Sequence, residues 1–571
     1  MTDQIAIAPI GDIATATTPS KDSSTKCSDA IKEHPNAIEP LHLDEEDATV
    51  RTKLRTYAIV LALYLVLFLA ALDQTIIATA IPTIASDLKS ASGYTWIGGA
   101  YLLARAAAGP IWTKTSDIWG RKPALLGSVF LFAVSSIMAA LSTNMPTLIA
   151  ARAIQGTAAG GLFQLVVVTV SDLFSPRKRA LYYGCMGAIW GIAGSTGPLL
   201  GGVFSEKLTW RWCFWINLPI CGVSFALLVL LLDVHNPRTT MRDGMKAIDW
   251  YGTATMLAVT VLLLLGLNFG GGAFAWDSAQ VIALIVVGTL VIAAFIFSEK
   301  RLATYPLMPL DVFTSRSNAA AFLLAFAHNT VNIGIEFHLP LFFQSALGAS
   351  PLRSGLLLLP LMLTDSTVDI STGFFINRYG RYIEPLRVGA ALLTIGTSLY
   401  TTFRPTTPLG HIIGFQMIGG AGTALLFQTP MLAIQASVPQ AAVASATASL
   451  GFLNGLATAI SIVLGGVVFK NSMSAQQSAL AAAGLNSTVL EALSGDRAAA
   501  NVEISHEIDD ATKRMAVQEA FAWSLRNIFI MYAVFAGVAL VASAFVRQRR
   551  LATEHTETKT GLGNLARREG E

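Results

Sequence analysis

Long apolar segments separated by short polar ones run through most of the chain. Each apolar segment is about 20 residues long, the length that an α-helix needs to cross a bilayer. The chain is 53% hydrophobic and only 13% charged, which is too apolar for a soluble protein of 571 residues. The pattern therefore predicts an all-α polytopic membrane protein with fourteen transmembrane helices, at 58–81, 94–113, 123–142, 147–170, 180–203, 213–232, 251–269, 279–297, 318–345, 354–376, 386–402, 409–435, 443–469 and 525–546.

Basic residues are concentrated in alternate loops. They follow the second, fourth, sixth, eighth and tenth segments, and the last segment ends in the basic run VRQRR. The positive-inside rule then places both termini in the cytosol. On that orientation the loop 470–524 lies outside the cytosol, and its Asn486-Ser487-Thr488 sequon predicts glycosylation at Asn486.

A faint internal repeat divides the chain into two halves. The loop after the second segment contains a Gly-Arg pair in TKTSDIWGRK, and the loop after the tenth contains another in FFINRYGRY. Parallel repeats of six helices around a cavity are a plan used by secondary transporters. We expect a disordered cytosolic tail, an N-terminal six-helix bundle, a linker with two extra transmembrane helices, a C-terminal six-helix bundle and a second cytosolic tail, at 1–57, 58–232, 233–317, 318–546 and 547–571.

Two ionisable residues lie inside apolar segments, Asp73 in LDQTIIATAIP (72–82) and Arg152 in ARAIQGTAAGG (151–161). A charged side chain in the membrane costs about 3 kcal/mol and usually faces the bundle interior, where it has a function. Arginine is effectively always protonated, so Arg152 can hold a carboxylate and release it when that carboxylate takes up a proton. The alternative is that both side chains extend from helix ends to water.

The fifth segment contains GAIWGIAGSTGPLLGG, which is unusually rich in residues that weaken helices. Counted from Gly187, small residues and Pro198 recur at +4, +7, +11 and +14, on one helical face. In lipid, small residues let helix backbones approach closely, and this packing compensates for poor helix propensity. The face predicts a conformational motif formed by Gly187, Gly191, Gly194, Gly197, Pro198, Gly201 and Gly202.

These motifs resemble those of the major facilitator superfamily, specifically its fourteen-span drug:proton antiporter branch, over about residues 58–550. The glycine stretch resembles the Gly-x-x-x-Gly-Pro-x-x-Gly-Gly signature of exporters, although ordinary small-residue packing is the alternative. Arg-x-x-Gln-Gly matches at 152–156, and TWRWCFWINLPI (209–220) resembles a signature of the branch. The run at 337–360 resembles fungal toxin-efflux members. The resemblance implies a major facilitator fold, with two six-helix bundles and two extra helices between them.

The loop KTSDIWGRK is similar to the family's Gly-x-Leu-x-Asp-x-x-Gly-Arg-Lys motif. Thr113 and Thr115 depart from that motif, which loosens the close packing expected there. The resemblance implies a conformational latch and proton coupling through Asp73, with Arg152 as its charged partner. The residues that match the loop motif are Asp117, Gly120, Arg121 and Lys122.

Further polar residues within the apolar segments are candidates for a substrate cavity. Asp365 and Asp369 are four residues apart and share one helix face, so Asp365 is a second candidate for proton coupling. Arg105 would suit an acidic or oxygen-rich cargo. Ordinary polar contact between helices is the alternative for all of them. The cavity candidates are Arg105, Gln155, Gln164, Trp190, His328, Asn332, Glu336, Asp369, Gln428 and Asn454.

The sequence thus predicts a proton-coupled secondary transporter that exports small amphipathic compounds by alternating access. The expected cargo is a fungal toxin, a secondary metabolite or a drug. A nutrient, amino-acid or siderophore transporter is the alternative, and a non-transporting sensor is a third class. No nucleotide-binding loop, metal-ligand spacing or nucleophile cluster appears, so neither an enzyme, a cofactor nor a nucleic-acid partner is expected. We expect a monomer in the plasma membrane, with the vacuolar membrane as the alternative.

Overall fold

The computed structural model describes residues 53–88, 93–235, 237, 239–270, 274–495, 497–502, 504, 508–554 and 560–561. None of these residues forms a β-strand, and most lie in α-helices, so the all-α prediction is confirmed. The helices are α1 (Lys53–Asp87), α2 (Gly93–Trp119), α3 (Arg121–Ala140), α4 (Met145–Leu173), α5 (Pro176–Lys207), α6 (Trp212–Trp215), α7 (Asn217–Leu231), α8 (Met241–Ala247), α9 (Trp250–Phe269), α10 (Ala279–Arg301), α11 (Arg316–Ser345), α12 (Pro351–Tyr379), α13 (Ile383–Tyr400), α14 (Leu409–Phe427), α15 (Thr429–Gln435), α16 (Val443–Ala475), α17 (Gln477–Ala482), α18 (Ser487–Ala492), α19 (Arg497–Ala500) and α20 (Ala511–Phe545).

Every one of the fourteen predicted segments coincides with a long helix or with a pair of consecutive helices. Within the described residues, ten are long and apolar enough to cross a membrane by length and composition. The remaining four segments correspond to α2, α5, α12 and α13. Three of these four line the central cavity described below, and their polar and glycine residues lower their mean apolar character. The count of fourteen stays a prediction.

The two halves pack against each other through two helix pairs. Helix α5 of the first half lies along α12 of the second, and α2 of the first half lies along α16 of the second. The two extra helices, α9 and α10, pack on each other, and α9 also contacts α2 and α16. The extra pair therefore lies beside both halves at the α2–α16 seam.

The glycine face of α5 makes two different close contacts. A Cβ atom built on Gly187 would lie 1.6 Å from Asp369 Oδ2, and one on Gly191 would lie 2.2 Å from Ser366 Oγ, both on α12. A Cβ on Gly197 or Gly201 would instead collide with Thr75 Oγ1 or with the main chain of Ile76 on α1. The face thus lets one helix approach neighbours from both halves, which is the close packing that the small residues predicted.

The glycines of the two Gly-Arg pairs both have positive φ angles, although their ψ angles differ. Gly120 ends the loop between α2 and α3 with φ +101°, and Gly380 caps α12 with φ +70°. Both conformations lie in the left-handed region, which glycine enters without the steric cost that other residues meet. The internal repeat of the two halves stays a prediction.

Two segments differ from expectation. The described residues of 470–524 were expected to form a loop, but α16 continues to Ala475 and α20 begins at Ala511, with three short helices between them. Helix α1 begins at Lys53, inside the predicted N-terminal tail, and residues 1–52 lie outside the described residues. All three helices, α1, α16 and α20, extend past their apolar segments because polar residues can continue a helix beyond the bilayer.

Candidate functional site

A cavity of about 540 Å³ lies between the two halves. Its walls come from α1, α2, α4 and α5 on one side and from α11, α12, α14, α15 and α16 on the other, with α9 contributing Leu264 and Leu265. Its lining is mainly apolar and aromatic, with a few polar groups. A volume of this size is typical of sites for drug-sized ligands.

Arg105 supplies a cation to the wall of this cavity formed by the first half. Its Nη1 donates a short hydrogen bond to Gln74 Oε1 on α1. The guanidinium carbon lies 5.1 Å from the ring centroid of Phe163 and 5.3 Å from that of Trp190. Those two rings meet edge to face, with centroids 6.2 Å apart. The arginine is thus held between two aromatic side chains at cation–π distance.

Two acids line the part of the cavity formed by the second half. Glu336 on α11 accepts a hydrogen bond of 3.2 Å from Asn332 Nδ2, one turn away. Asp365 on α12 lines the same part of the cavity. Among the described residues, no group donates a hydrogen bond to Asp365 Oδ1. The cavity therefore has a basic wall and an acidic wall, contributed by different halves.

Asp73 lies outside this cavity, in a buried set of residues that we call the Asp73 network: Asp73, Ser136, Arg152, Gln155 and Asn217. Arg152 Nη1 forms an ion pair of 2.7 Å with Asp73 Oδ2. Gln155 Nε2 and Asn217 Nδ2 each donate to Asp73 Oδ1 at 2.8 Å, and both also donate to Ser136 Oγ. Asp73 is 0% exposed and Arg152 1% exposed. The carboxylate is thus paired and hydrogen-bonded, as a buried charge requires.

Arg152 is also fixed by α2. Its Nε donates to the main-chain oxygen of Ile97 at 3.2 Å, and its guanidinium carbon lies 4.2 Å from the ring centroid of Tyr101. Tyr101 lies one turn before Arg105 on the same helix. Helices α1, α2, α3, α4 and α7 consequently all contribute to the surroundings of one carboxylate.

The predicted cavity residues fall into two groups. Those that line the cavity are Arg105, Gln164, Trp190, His328, Asn332, Glu336 and Asn454, together with Asp365. Gln155 belongs to the Asp73 network, and Asp369 is buried against the glycine face of α5. Gln428 Nε2 donates to the main-chain and side-chain oxygens of Asp369, both at 3.0 Å. These three residues therefore hold helices together instead of facing the cavity.

The loop motif forms a buried ion cluster that we call the loop latch: Asp117, Arg121 and Asp172. Arg121 Nη1 lies 2.5 Å from Asp117 Oδ1, and its Nε lies 2.6 Å from Asp172 Oδ2 at the end of α4. Arg121 is 1% exposed. Lys122 Nζ instead donates to the main-chain oxygen of Val229 at 2.7 Å. The latch joins α2, α3 and α4 at the end of the bundle predicted to be cytosolic.

The halves are bridged at this same end. Arg177 at the start of α5 donates to the main-chain oxygens of Asn377, at 2.6 Å, and Arg378 at the end of α12. Arg179 Nη2 donates to Gln440 Oε1 at 2.9 Å. Contacts between basic side chains of the first half and oxygen atoms of the second thus close this end of the interface.

The C-terminal strap, which we define as residues 547–554 and 560–561, crosses the same end. The Tyr382 hydroxyl donates to the main-chain oxygen of Arg547 and accepts from the nitrogen of Arg549, both at 2.9 Å. Burial raises the pKa of Tyr382, so its hydroxyl keeps its proton. The main-chain nitrogen of Gly561 donates to the main-chain oxygen of Asp117 at 2.8 Å. The strap therefore contacts both the C-terminal half and the loop latch.

Several residues of the site were missed by the sequence reasoning. Asn217 is an amide within the branch signature at 209–220, which would have been its signal. Ser136, Tyr101 and Phe163 are common residue types in apolar helices, and nothing in the sequence distinguishes them from packing residues.

The predicted glycosylation site, Asn486, is exposed. Its side-chain oxygen accepts a hydrogen bond from the main-chain nitrogen of Val489 at 2.9 Å, so it caps α18. Glycosylation there stays a prediction.

The described residues contain no group of three or more His, Cys, Asp or Glu side chains placed to hold a metal ion. The polar groups of the cavity suit direct contact with an organic ligand.

Comparison with protein families gives a match to a model described as the Major Facilitator Superfamily, over residues 63–462. An MFS-type transporter, ppz2, from Metarhizium majus is 41% identical over 528 residues, which is 92% of this chain and 91% of that protein. The efflux pump dotC from Dothistroma septosporum is 40% identical over 504 residues, 88% of this chain and 86% of its own. Both similarities span nearly the whole chain.

Solved structures show the same fold at low sequence identity. The proton:xylose symporter XylE superposes with a TM-score of 0.55 at 15% identity, covering 91% of this chain and 100% of that one. The human organic anion transporter MFSD10 superposes with a TM-score of 0.51 at 15% identity, covering 84% and 99%. These likenesses establish the fold alone.

Proposed function

The chain belongs to the Major Facilitator Superfamily, and we propose that it is a proton-coupled exporter of small amphipathic compounds, such as a fungal toxin, secondary metabolite or drug. Its membership makes it a multi-pass membrane transporter of small molecules and not an enzyme, as the sequence predicted. Two similar proteins are named as an MFS-type transporter and an efflux pump of fungi, which supports export. The largely apolar cavity between the halves supports an amphipathic cargo.

The observation that carries the coupling proposal is the Asp73 network. Asp73 is the buried carboxylate that an arginine and two amides hold, and its ion pair joins α1 to α4. Protonation of Asp73 would neutralise it and weaken its bond to Arg152. The next residue on α1, Gln74, lines the cavity. A proton on Asp73 therefore acts on the same helix turn that a cargo contacts.

Alternating access then follows from how the halves meet. With the predicted cytosolic end closed by Arg177 and the strap, a proton taken up by Asp73 from outside would loosen α1 from α4. The halves could then rock about the α5–α12 and α2–α16 seams and open to the cytosol. Release of the proton there would restore the ion pair and favour cargo capture for the outward stroke. We further propose a plasma-membrane location with both termini cytosolic.

Transport in sealed inside-out vesicles with an imposed proton gradient tests this proposal. A panel of amphipathic toxins and dyes should accumulate in the vesicles, and Asp73→Asn should abolish that accumulation. Because Asp73→Asn leaves the Arg152 charge buried and without its anionic partner, which costs about 3–5 kcal/mol when no relaxation occurs, folding needs its own control. Exchange of labelled for unlabelled cargo without a gradient supplies it, and this exchange should persist in the variant.

Other outcomes would redirect the assignment. Accumulation that survives Asp73→Asn but fails in Asp365→Asn would keep export and move the coupling site to the cavity. Exchange without any gradient-driven accumulation would reject proton coupling. If folded protein moves none of the amphipathic compounds but takes up nutrients or metal chelates, the export proposal is wrong.

A further inference from the structure

The cation in the cavity wall lacks an anionic partner. Among the described residues, no carboxylate lies within ion-pair distance of Arg105, and its hydrogen bond goes to the neutral amide of Gln74. Arg121 and Arg152 of the first half each contact an aspartate, whereas the fully buried Arg179 donates to main-chain and amide oxygens. The partly buried Arg105 resembles Arg179 in having no carboxylate partner, and differs from it in lining the cavity. A guanidinium stays charged at any physiological pH. Arg105 is therefore a positive charge presented to the cavity without neutralisation from its own protein.

The surroundings of Arg105 also fix its direction. Phe163 on α4 and Trp190 on α5 flank the guanidinium at 5.1 and 5.3 Å and limit its rotation. Gln74 lies at one edge of the planar guanidinium group, and its Oε1 accepts a hydrogen bond from Arg105 Nη1. The remaining donors of such a fork match the two oxygens of a carboxylate or sulfonate. The aromatic rings beside it match a flat, apolar ring system.

The acids of the cavity lie on the wall of the other half. Glu336 accepts a hydrogen bond from Asn332 on its own helix, and Asp365 lines the same wall. This separation leaves the basic wall open to a ligand anion. An anionic cargo would therefore have a defined orientation in the cavity.

We propose that Arg105 recognises an anionic oxygen group on a planar aromatic cargo, and that this group displaces Gln74 from the guanidinium. The cargo's ring system packs against Phe163 and Trp190 and extends into the apolar part of the cavity. This inference rests on the proposed function for its biological meaning, since it names the class of compound exported. The recognition itself is a binding property that does not depend on proton coupling.

Two probes with one ring skeleton test the proposal. The sulfonate 8-anilino-1-naphthalenesulfonate and the uncharged N-phenyl-1-naphthylamine differ by the anionic group, and both fluoresce on binding. Their Kd values would be measured with the full chain in nanodiscs, against empty nanodiscs and without a gradient. The wild type should prefer the sulfonate. Arg105→Gln should weaken sulfonate binding by about tenfold to a hundredfold, as expected for a charge-assisted hydrogen bond, and leave the neutral probe within about twofold.

Arg211 provides a matched control outside the cavity. Its guanidinium carbon lies 4.2 Å from the Trp210 ring centroid, so it also contacts an indole, and it pairs with Asp87 at 3.5 Å. Arg211→Gln should change neither Kd. Equal effects of Arg105→Gln on both probes, or no effect on either, would overturn the proposal.

A conservative variant covers the case in which Arg105→Gln does not fold. Arg105→Lys keeps the charge but loses the planar fork, so it should retain part of the preference for the sulfonate. Complete loss of that preference, with the neutral probe still bound, would refute recognition by charge. Failure of the proposed function looks different. A chain that keeps its Arg105-dependent preference but shows no gradient-driven export retains this binding site and loses the exporter assignment.

Discussion

Replacing Gly184 with alanine should force apart α5 and α12, the helices that join the two halves. The added Cβ would lie 2.6 Å from the main-chain oxygen of Asp369 and 3.3 Å from its carbonyl carbon. The first distance is about 0.8 Å shorter than the 3.4 Å at which ordinary van der Waals contact begins. Because the obstructing atom belongs to the backbone of α12, a side-chain rotation cannot relieve the contact. The helices must separate or tilt.

The magnitude follows from two opposing terms. Overpacking a close contact costs about 1–3 kcal/mol, whereas alanine gains about 1 kcal/mol over glycine in a helix interior. Gly194 lies on the same helix, where a Cβ would meet only Met362 Cε, at 3.8 Å. Gly194→Ala therefore receives the propensity gain without the collision. Comparing the two variants cancels the propensity term and leaves a difference of about 1–3 kcal/mol.

Thermal unfolding of both variants in detergent, with size-exclusion chromatography as the readout of remaining folded protein, measures this difference. Gly184→Ala should melt below Gly194→Ala, and its gradient-driven transport should fall because the seam at which the halves rock is wedged. Gly194→Ala should melt at or above the wild type and transport normally. Equal melting temperatures for the two alanine variants would refute the idea that glycine is needed for the approach of α12.

Three further substitutions test other parts of the structure, two by the free energy of unfolding and one by amide hydrogen exchange. Asn217→Leu removes a donor from Asp73 and should lower the free energy of unfolding by about 1–3 kcal/mol; unchanged stability would mean that Asn217 is not a supporting member of the network. Asp172→Asn breaks a buried ion pair of the loop latch and should destabilise far more than Glu491→Gln, which breaks an exposed pair with a similar N–O distance; similar small effects would contradict the latch. Tyr382→Phe removes the two hydrogen bonds that its hydroxyl makes to the strap, so amide hydrogen exchange at Arg549 should accelerate; unchanged exchange would show that other contacts hold the strap.

Apolar length and spacing were sufficient to locate the helices, and the small residues identified a closely packed face on one of them. Each predicted segment falls on a helix because lipid and protein interior impose the same rule on the backbone, whose hydrogen bonds must be satisfied within the segment. The glycine face of α5 indicated close packing for the same reason, since a missing Cβ is visible in a sequence. The sequence alone does not show that this face packs partly against α12 and partly against α1, because those contacts depend on the positions of the neighbouring helices.

Side-chain destinations were less predictable than helices. Asp365 and Asp369 share one face of α12, yet Asp365 lines the cavity and Asp369 is buried against Gly187. Four residues advance a helix by about 6 Å, which is enough to carry a side chain out of the cavity. Periodicity gives the direction of a side chain around a helix axis. It does not show at which positions along the helix the other half packs against that face. Gln428 was misjudged as a cavity residue for the same reason, since it binds Asp369.

The arrangement of α1 and α2 explains how cargo and proton could act on one another without sharing a site. Asp73 and Gln74 are consecutive on α1, and the first lies in the buried network while the second lines the cavity. Tyr101 and Arg105 are one turn apart on α2, and they contact Arg152 and Gln74 respectively. A cargo anion that takes Arg105 away from Gln74 would release α1 on its cavity side, while protonation of Asp73 would release α1 on its buried side. Both events act on α1, the first through its contact with α2 and the second through its ion pair with α4, so each can alter the free energy of the other.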